Sequence, residues 1–259
     1  MTTPRPFKMF CATLQFGGLI LLAQGTTAGA ADVTLLSSAA IRPVIEVLGP
    51  QFERASGHRL VTRFELTPAV KKLIDAGTPF DVAIANPPHI EDAIKQGRIV
   101  AGTRADVARF GVGVGVRAGA TKPDVGSADA LKGALLNAKS VAYVGEGTSG
   151  VFVRGLLERL DIADAMKAKL KPGGIAESLA AVAKGEAEIV VMPVPLIMSG
   201  VGVDLAGALP AALQDNIDMV AGIGAAAGDR AAAQALVKLL MAPEATTVIK
   251  ARGFSRVGS

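Results

Sequence analysis

Residues 141–160 read VAYVGEGTSGVFVRGLLERL, and the pattern of this stretch changes once along its length. A short apolar run over 141–144 enters a turn holding Gly145, Gly147 and Gly150, after which Val153, Leu156, Leu157 and Leu160 recur at helical spacing. Strand, glycine-rich turn and helix are expected in that order. Thr148 and Ser149 stand where a helix N-cap is expected, which aims two hydroxyls and the first unpaired backbone N–H groups into one space. Such a corner suits an anion, because the positive end of the helix dipole points the same way. An ordinary capped helix carries the same letters, so the rest of the chain has to decide between the two readings.

Working outward, the same corner recurs. An apolar run over 33–36 enters Ser37 and Ser38, and Ile41, Val44, Ile45, Leu48 and Phe52 then mark one helical face that ends before Gly57. Pro43 fits the first turn of that helix, where its missing N–H is no loss. Residues 59–64 are strand-like, and Thr67 is expected to cap a helix that opens on Pro68 and carries Val70, Leu73 and Ile74. A buried strand over 81–85 and a helix over 87–96 follow. Strand and helix alternating at this rhythm predict an α/β fold with parallel strands. Between 110 and 116 glycine and valine alternate, so Val112, Val114 and Val116 share one face and the other is bare backbone against which something must pack. Further on, a helix over 128–136, a short helix carrying Ile175, Leu179 and Val182, a strand over 188–192 stopped by Pro193 and Pro195, a strand over 217–223 and two terminal helices over 230–241 and 244–252 are expected.

The totals exclude several classes. A chain of 259 residues, half of them hydrophobic and 19% charged, can bury a core in one or two domains. The net charge of +4 is spread among residues of both signs, and a single Tyr without Trp leaves few stacking platforms, so no nucleic-acid partner is expected. Residues 1–30 carry Arg5 and Lys8, an apolar run over 9–23 and Ala28-Gly29-Ala30, the pattern of a secretory signal peptide cleaved before Ala31. The run is too short for a membrane anchor, and Cys11 lies too early in it for a lipoprotein. Cleavage removes the single cysteine, which fits a periplasmic protein without disulfides. Enzymatic groups are scarce: His58 and His89 are isolated, no spacing makes a zinc site, no Gly-x-Ser-x-Gly elbow occurs, and the glycines near 113–118 are followed by Gly119 and Pro123 where a dinucleotide-binding helix would start. No enzyme activity, metal or cofactor is therefore expected. What remains is binding by hydroxyls, backbone amides and helix dipoles.

Five stretches carry a resemblance: VTLLSSAAIRPVIEVLGPQFERASG (33–57), IDAGTPFDVAIA (74–85), EGTSGVFVRGLLERLDI (146–162), ESLAAVAKGEAEIVVM (177–192) and ALVKLLMAPEATTVIKARGF (235–254). They resemble the periplasmic molybdate-binding proteins of ABC importers. The resemblance implies a type II periplasmic-binding-protein fold with two α/β lobes and the ligand cleft between them. Residues 31–111 and 219–259 would form one lobe and 112–218 the other. Carried over position by position, the family's oxyanion contacts fall on Ala40, Thr67, Ser149, Ile175 and Pro193. Thr67 keeps a hydroxyl, and Ser149 and Ile175 keep backbone donors. Ala40 offers no hydroxyl, and Pro193 offers neither a side-chain nor a backbone donor. Neighbours such as Ser37 or Ser38 would take over the lost contacts, and Thr148 beside Ser149 is a further ligand-binding candidate.

The expected function is a periplasmic solute-binding protein that captures a small anion, either a molybdate- or tungstate-like oxyanion or a small organic acid, for an ABC permease in the inner membrane. A monomer is expected, and Arg42 beside the first corner is the charge partner a carboxylate would prefer. A sensory or accessory binding protein of the same fold is the alternative.

Overall fold

The computed structural model describes residues 1–3 and 30–257, so the expected signal segment falls almost wholly outside the described residues. Strands β1 (Asp32–Ser38), β2 (Arg59–Glu65), β3 (Val82–Ala85) and β4 (Ala105–Phe110) come first, with helices α1 (Arg42–Ser56), α2 (Thr67–Asp75) and α3 (Pro87–Lys95) between them. The middle of the chain holds β5 (Val112–Arg117), α4 (Ala128–Asn137), β6 (Val141–Val144), α5 (Gly147–Arg159), α6 (Ala163–Met166), β7 (Leu170–Gly173), α7 (Ile175–Ala183), β8 (Ile189–Pro193), α8 (Val194–Ser199) and β9 (Val203–Ala208). Strand β10 (Ile217–Ile223), α9 (Arg230–Met241) and α10 (Pro243–Ala251) close it.

Two five-stranded sheets result, ordered β2-β1-β3-β10-β4 and β7-β6-β8-β5-β9. Each departs from the expected all-parallel arrangement at one strand. β10 runs antiparallel to β3 and β4, and β5 runs antiparallel to β8 and β9. The reason lies in the crossings. The chain leaves β4 at Phe110 and starts β5 at Val112, then leaves β9 and re-enters the first sheet at Ile217, which pairs with Phe110. Each crossing delivers its strand from the end where the parallel strands finish, so β5 and β10 run the opposite way. The C-terminal ends of the parallel strands in both lobes therefore face the same gap, and their strand-to-helix corners open into it.

Periodicity of two sorts each strand between layers. In β1, Leu35 packs with α1 and the terminal helices, whereas Leu36 packs with Val70, Ile74 and Ile90 of α2 and α3. In β5, Val112, Val114 and Val116 join the core beneath α4 and α5. The bare face expected over 113–115 is covered by α8 and a neighbouring strand. A Cβ on Gly113 would stand 2.9 Å from Val194 Cγ2, and one on Gly115 would stand 2.8 Å from Val190 Cγ1 and 2.9 Å from Ile197 Cγ2.

At the crossing, the Val112 N–H donates to Gln214 Oε1 and Gln214 Nε2 donates to the Val112 carbonyl, each at 2.8 Å. Arg109 Nη2 donates to Asp218 Oδ2 at 2.9 Å, and this carboxylate holds the guanidinium above its ordinary value. On α3, burial and then the nearby Lys71 charge push the His89 imidazole below its usual range. A histidine depressed in the folded state is protonated first in the unfolded chain. Its contribution is thus complete above the ordinary value near 6.5 and is lost as pH falls through the folded value. Thermal melts between about pH 7 and pH 5 are expected to fall less steeply for His89→Gln than for the unmodified chain.

Candidate functional site

Ser38, Ala40, Thr67, Ser149, Ile175 and Pro193, chosen from sequence, line one cavity between the lobes. It gives the centre of a water molecule about 30 Å³ to explore, room for roughly two or three waters or an anion of a few heavy atoms. A larger depression of about 670 Å³ involves Val116 and Ile189, at the ends of β5 and β8 away from the crossing, and gathers none of the expected residues.

The corners differ from expectation in their caps. Leu66, not Thr67, occupies the N-cap of α2, and its carbonyl accepts the Ala69 and Val70 N–H groups. Thr67 is therefore free of capping, and its Oγ1 lies 3.1 Å from Ser38 Oγ, both hydroxyls being buried. Likewise Glu146 holds the N-cap of α5, two residues before Thr148 and three before Ser149, without a side-chain capping bond. Ser149 is then a first-turn residue on the cavity wall. Thr148 belongs to the same turn, and its side chain lies outside what is described. Ser37 is fully buried and donates to the Ser38 carbonyl at 3.2 Å, so it supports the corner and does not line the cavity. Ile175 opens α7 behind Gly174, whose N–H is taken by Glu177 Oε2 at 3.0 Å.

The first turns of α2, α5 and α7 border the cavity; in α2 Pro68 has no N–H and Ala69 already donates to Leu66, which leaves the Thr67 N–H, whereas the first N–H groups of α5 and α7 lack an i−4 acceptor by helix geometry. Their donors and dipoles, with the Ser38 and Thr67 hydroxyls, are what the site offers an anion. Arg42 does not join them. Its side chain is directed instead over the Phe64 ring, with Cζ 4.4 Å from the centroid. The described lining residues include no Asp, Glu, His, Lys, Arg, Cys or Tyr.

Sequence reasoning missed Asn86, Phe110, Ile217 and Met219, which also line the cavity. Asn86 had a signal, since a polar residue between a buried strand and Pro87-Pro88 marks a helix start. It sits at the N-cap of α3, and its Nδ2 reaches the Asp218 carbonyl at 3.4 Å. Ile217 and Met219 fall in a strand that was expected and Phe110 in β4, which was not; the crossing brings β4 and β10 together at the gap.

Residues 33–255 match the family described as bacterial extracellular solute-binding protein. The chain belongs to that family. Among relatives of this solute-binding protein, the molybdate-binding protein ModA of Azotobacter vinelandii is 32% identical over 88% of this chain and 91% of that one. A protein named aconitate isomerase from a Pseudomonas species is 28% identical over 95% of this chain and 96% of its own length. The solved structure of the Azotobacter vinelandii periplasmic molybdate-binding protein superposes with a TM-score of 0.72 at 20% identity, covering 86% of this chain and 98% of that one. The sulfate-binding protein SubI of Mycobacterium tuberculosis gives 0.71 at 17% identity over 88% of each. The architecture is that of the two-lobed periplasmic binding proteins, and the chain is a divergent relative of their molybdate-binding members.

Proposed function

We propose that this solute-binding protein is exported to the periplasm, matures at Ala31, and captures a small anion in the inter-lobe cavity for delivery to an ABC permease. The observation that carries this reading is the convergence of the Ser38 and Thr67 hydroxyls with the first turns of α2, α5 and α7 on one enclosed space. Closing the lobes replaces water around the anion with fixed donors, so the ligand favours the closed arrangement by the contacts it makes only there. Native mass spectrometry of protein purified from its own periplasm is expected to show a retained ligand of anion mass. Protein that never carries one, and that no anion stabilises, overturns the proposal.

The relative named aconitate isomerase raises a second reading, turnover of an unsaturated organic acid. Moving a double bond requires a group that takes and returns a proton, and the described cavity wall supplies no titratable side chain. Binding without turnover is the reading that fits. Purified protein incubated with cis-aconitate is expected to leave its ultraviolet absorbance unchanged, and conversion above the buffer rate would establish the enzyme.

Thr67→Val tests the site directly. The substitution keeps shape, and because Leu66 provides the cap, α2 should start normally. Loss of the hydroxyl should weaken the retained anion by roughly 0.5–1.5 kcal/mol, or more where the bond is charge-assisted, with only a small change in melting temperature. Lower stability with unchanged affinity in calorimetry would reduce Thr67 to a partner of Ser38.

A further inference from the structure

The cavity has two chemically different ends, and the strand order fixes which is which. Across the first sheet, β1 delivers Ser38, β3 leads to Asn86, β10 carries Met219 and Ile217, and β4 ends at Phe110. Across the second, β7 and β6 lead to Ile175, Gly147 and Ser149, whereas β8 ends at Pro193 and leads to Leu196. The two polar ends meet, since Leu66 and Pro68 of the α2 corner lie 3.8–3.9 Å from where a Cβ on Gly147 would stand. The two apolar ends meet as well. Pro193 pairs with Val112, the Val194 N–H donates to the Gly111 carbonyl at 3.0 Å, and Ile217 pairs with Phe110, all at the crossing. One end therefore presents the Ser38, Thr67 and Ser149 hydroxyls among Ala40, Leu66 and Ile175, and the other presents Phe110, Ile217, Met219, Pro193 and Leu196, with the Asn86 amide between the two.

From this polarity, and resting on the reading of the cavity as the anion site, we infer that the ligand is a short-chain monocarboxylate, its carboxylate at the Ser38–Thr67–Ser149 end and its alkyl group against Phe110, Ile217 and Met219. An inorganic tetrahedral oxyanion carries oxygen on every side, so some of its oxygens would be desolvated against apolar side chains without a donor. A carboxylate confines charge and acceptors to one end, and the carbon chain matches the other. The single charge also suits a wall without a cationic side chain, since the cost of desolvating an ion rises with the square of its charge. The volume of about 30 Å³ suits a chain of a few carbons.

The test is isothermal titration of the mature chain, stripped of ligand by unfolding and refolding, with acetate, propionate, butyrate, succinate, sulfate and molybdate. Affinity is expected to rise about fourfold per methylene from acetate to propionate, to fall once the chain outgrows the cavity, and to be at least about tenfold weaker for succinate and both inorganic ions. In Ile217→Thr the ratio of propionate to acetate affinity should shrink towards one; Met219→Thr gives the same readout should the first variant fold poorly. Sulfate or molybdate binding more tightly than every monocarboxylate, with that binding weakened in Thr67→Val, overturns the inference and leaves the anion site standing. No binding by the panel also overturns the inference. In that case a ligand of other mass retained from the periplasm keeps the proposed function, and no retained ligand removes both.

Discussion

Molybdate should bind this chain about 10²–10⁴-fold more weakly than it would bind the same cavity with hydroxyl donors at positions 40 and 193. Ala40 and Pro193 line the cavity at two of the positions on which the resemblance places oxyanion contacts, and neither offers a side-chain hydroxyl; Pro193 lacks a backbone N–H as well. In a desolvated site each missing charge-assisted hydrogen bond is worth about 1.5–3 kcal/mol, and 1.4 kcal/mol is a factor of ten. Compensation from the neighbours is limited. Ser37 is turned inward onto the Ser38 carbonyl, and Ser38 and Thr67 are already counted among the donors. Ala40→Ser should therefore restore about one donor's share, a tenfold to hundredfold gain for molybdate. A thermal-shift series with molybdate, tungstate and sulfate reads both quantities. Stabilisation of the unmodified chain by micromolar molybdate would return the protein to the role of its molybdate-binding relatives.

What the sequence disclosed and what it withheld follow the range of the interactions involved. The β1, β2 and β6 corners were legible because hydrophobic periodicity switches from short apolar runs to helical spacing within a few residues, a local signal. The valine–glycine alternation of β5 disclosed a close packing without naming the partner. That partner, α8, was hidden behind Pro193 and Pro195, which read as breakers, whereas Pro195 stands in the first turn of the helix. β7 and β9 were missed because they are edge strands, one containing Pro172 and the other mostly half-buried, so neither shows a clean pattern. The antiparallel sense of β5 and β10 depends on the two crossings, as does the apolar end of the cavity. Phe110 and Ile217 are far apart in the chain and become one wall only when β10 returns beside β4. Of the eight residues named from sequence, Ser38, Thr67 and Ser149 reach the cavity from the hydroxyl corners, and Ala40, Ile175 and Pro193, named only through the resemblance, line it with them. The apolar half, which decides what kind of anion fits, carries no local mark.

Gly150→Ala should damage both the fold and the site, whereas Gly155→Ala in the same helix should help the fold and leave the site alone. An added Cβ on Gly150 would stand 2.5 Å from the Val144 carbonyl oxygen and 2.8 Å from the carbonyl carbon and oxygen of Gly145. These are backbone atoms at the end of β6, a strand held between β7 and β8, so no side chain can swing away to make room. The start of α5 must lift instead, and Ser149 with the first-turn N–H groups lifts with it. Such overpacking costs about 1–3 kcal/mol of stability. Donors displaced from the anion by even one charge-assisted bond weaken binding by roughly tenfold or more. Around Gly155 an added Cβ meets nothing within 4 Å, so Ala there gains the helix propensity that glycine lacks, about 0.5–1 kcal/mol. Denaturant melts and titration of the two variants side by side separate an effect of the corner from an effect of helix stability alone. Equal behaviour of the two would mean that the strand-to-helix corner does not hold its donors as tightly as this packing requires.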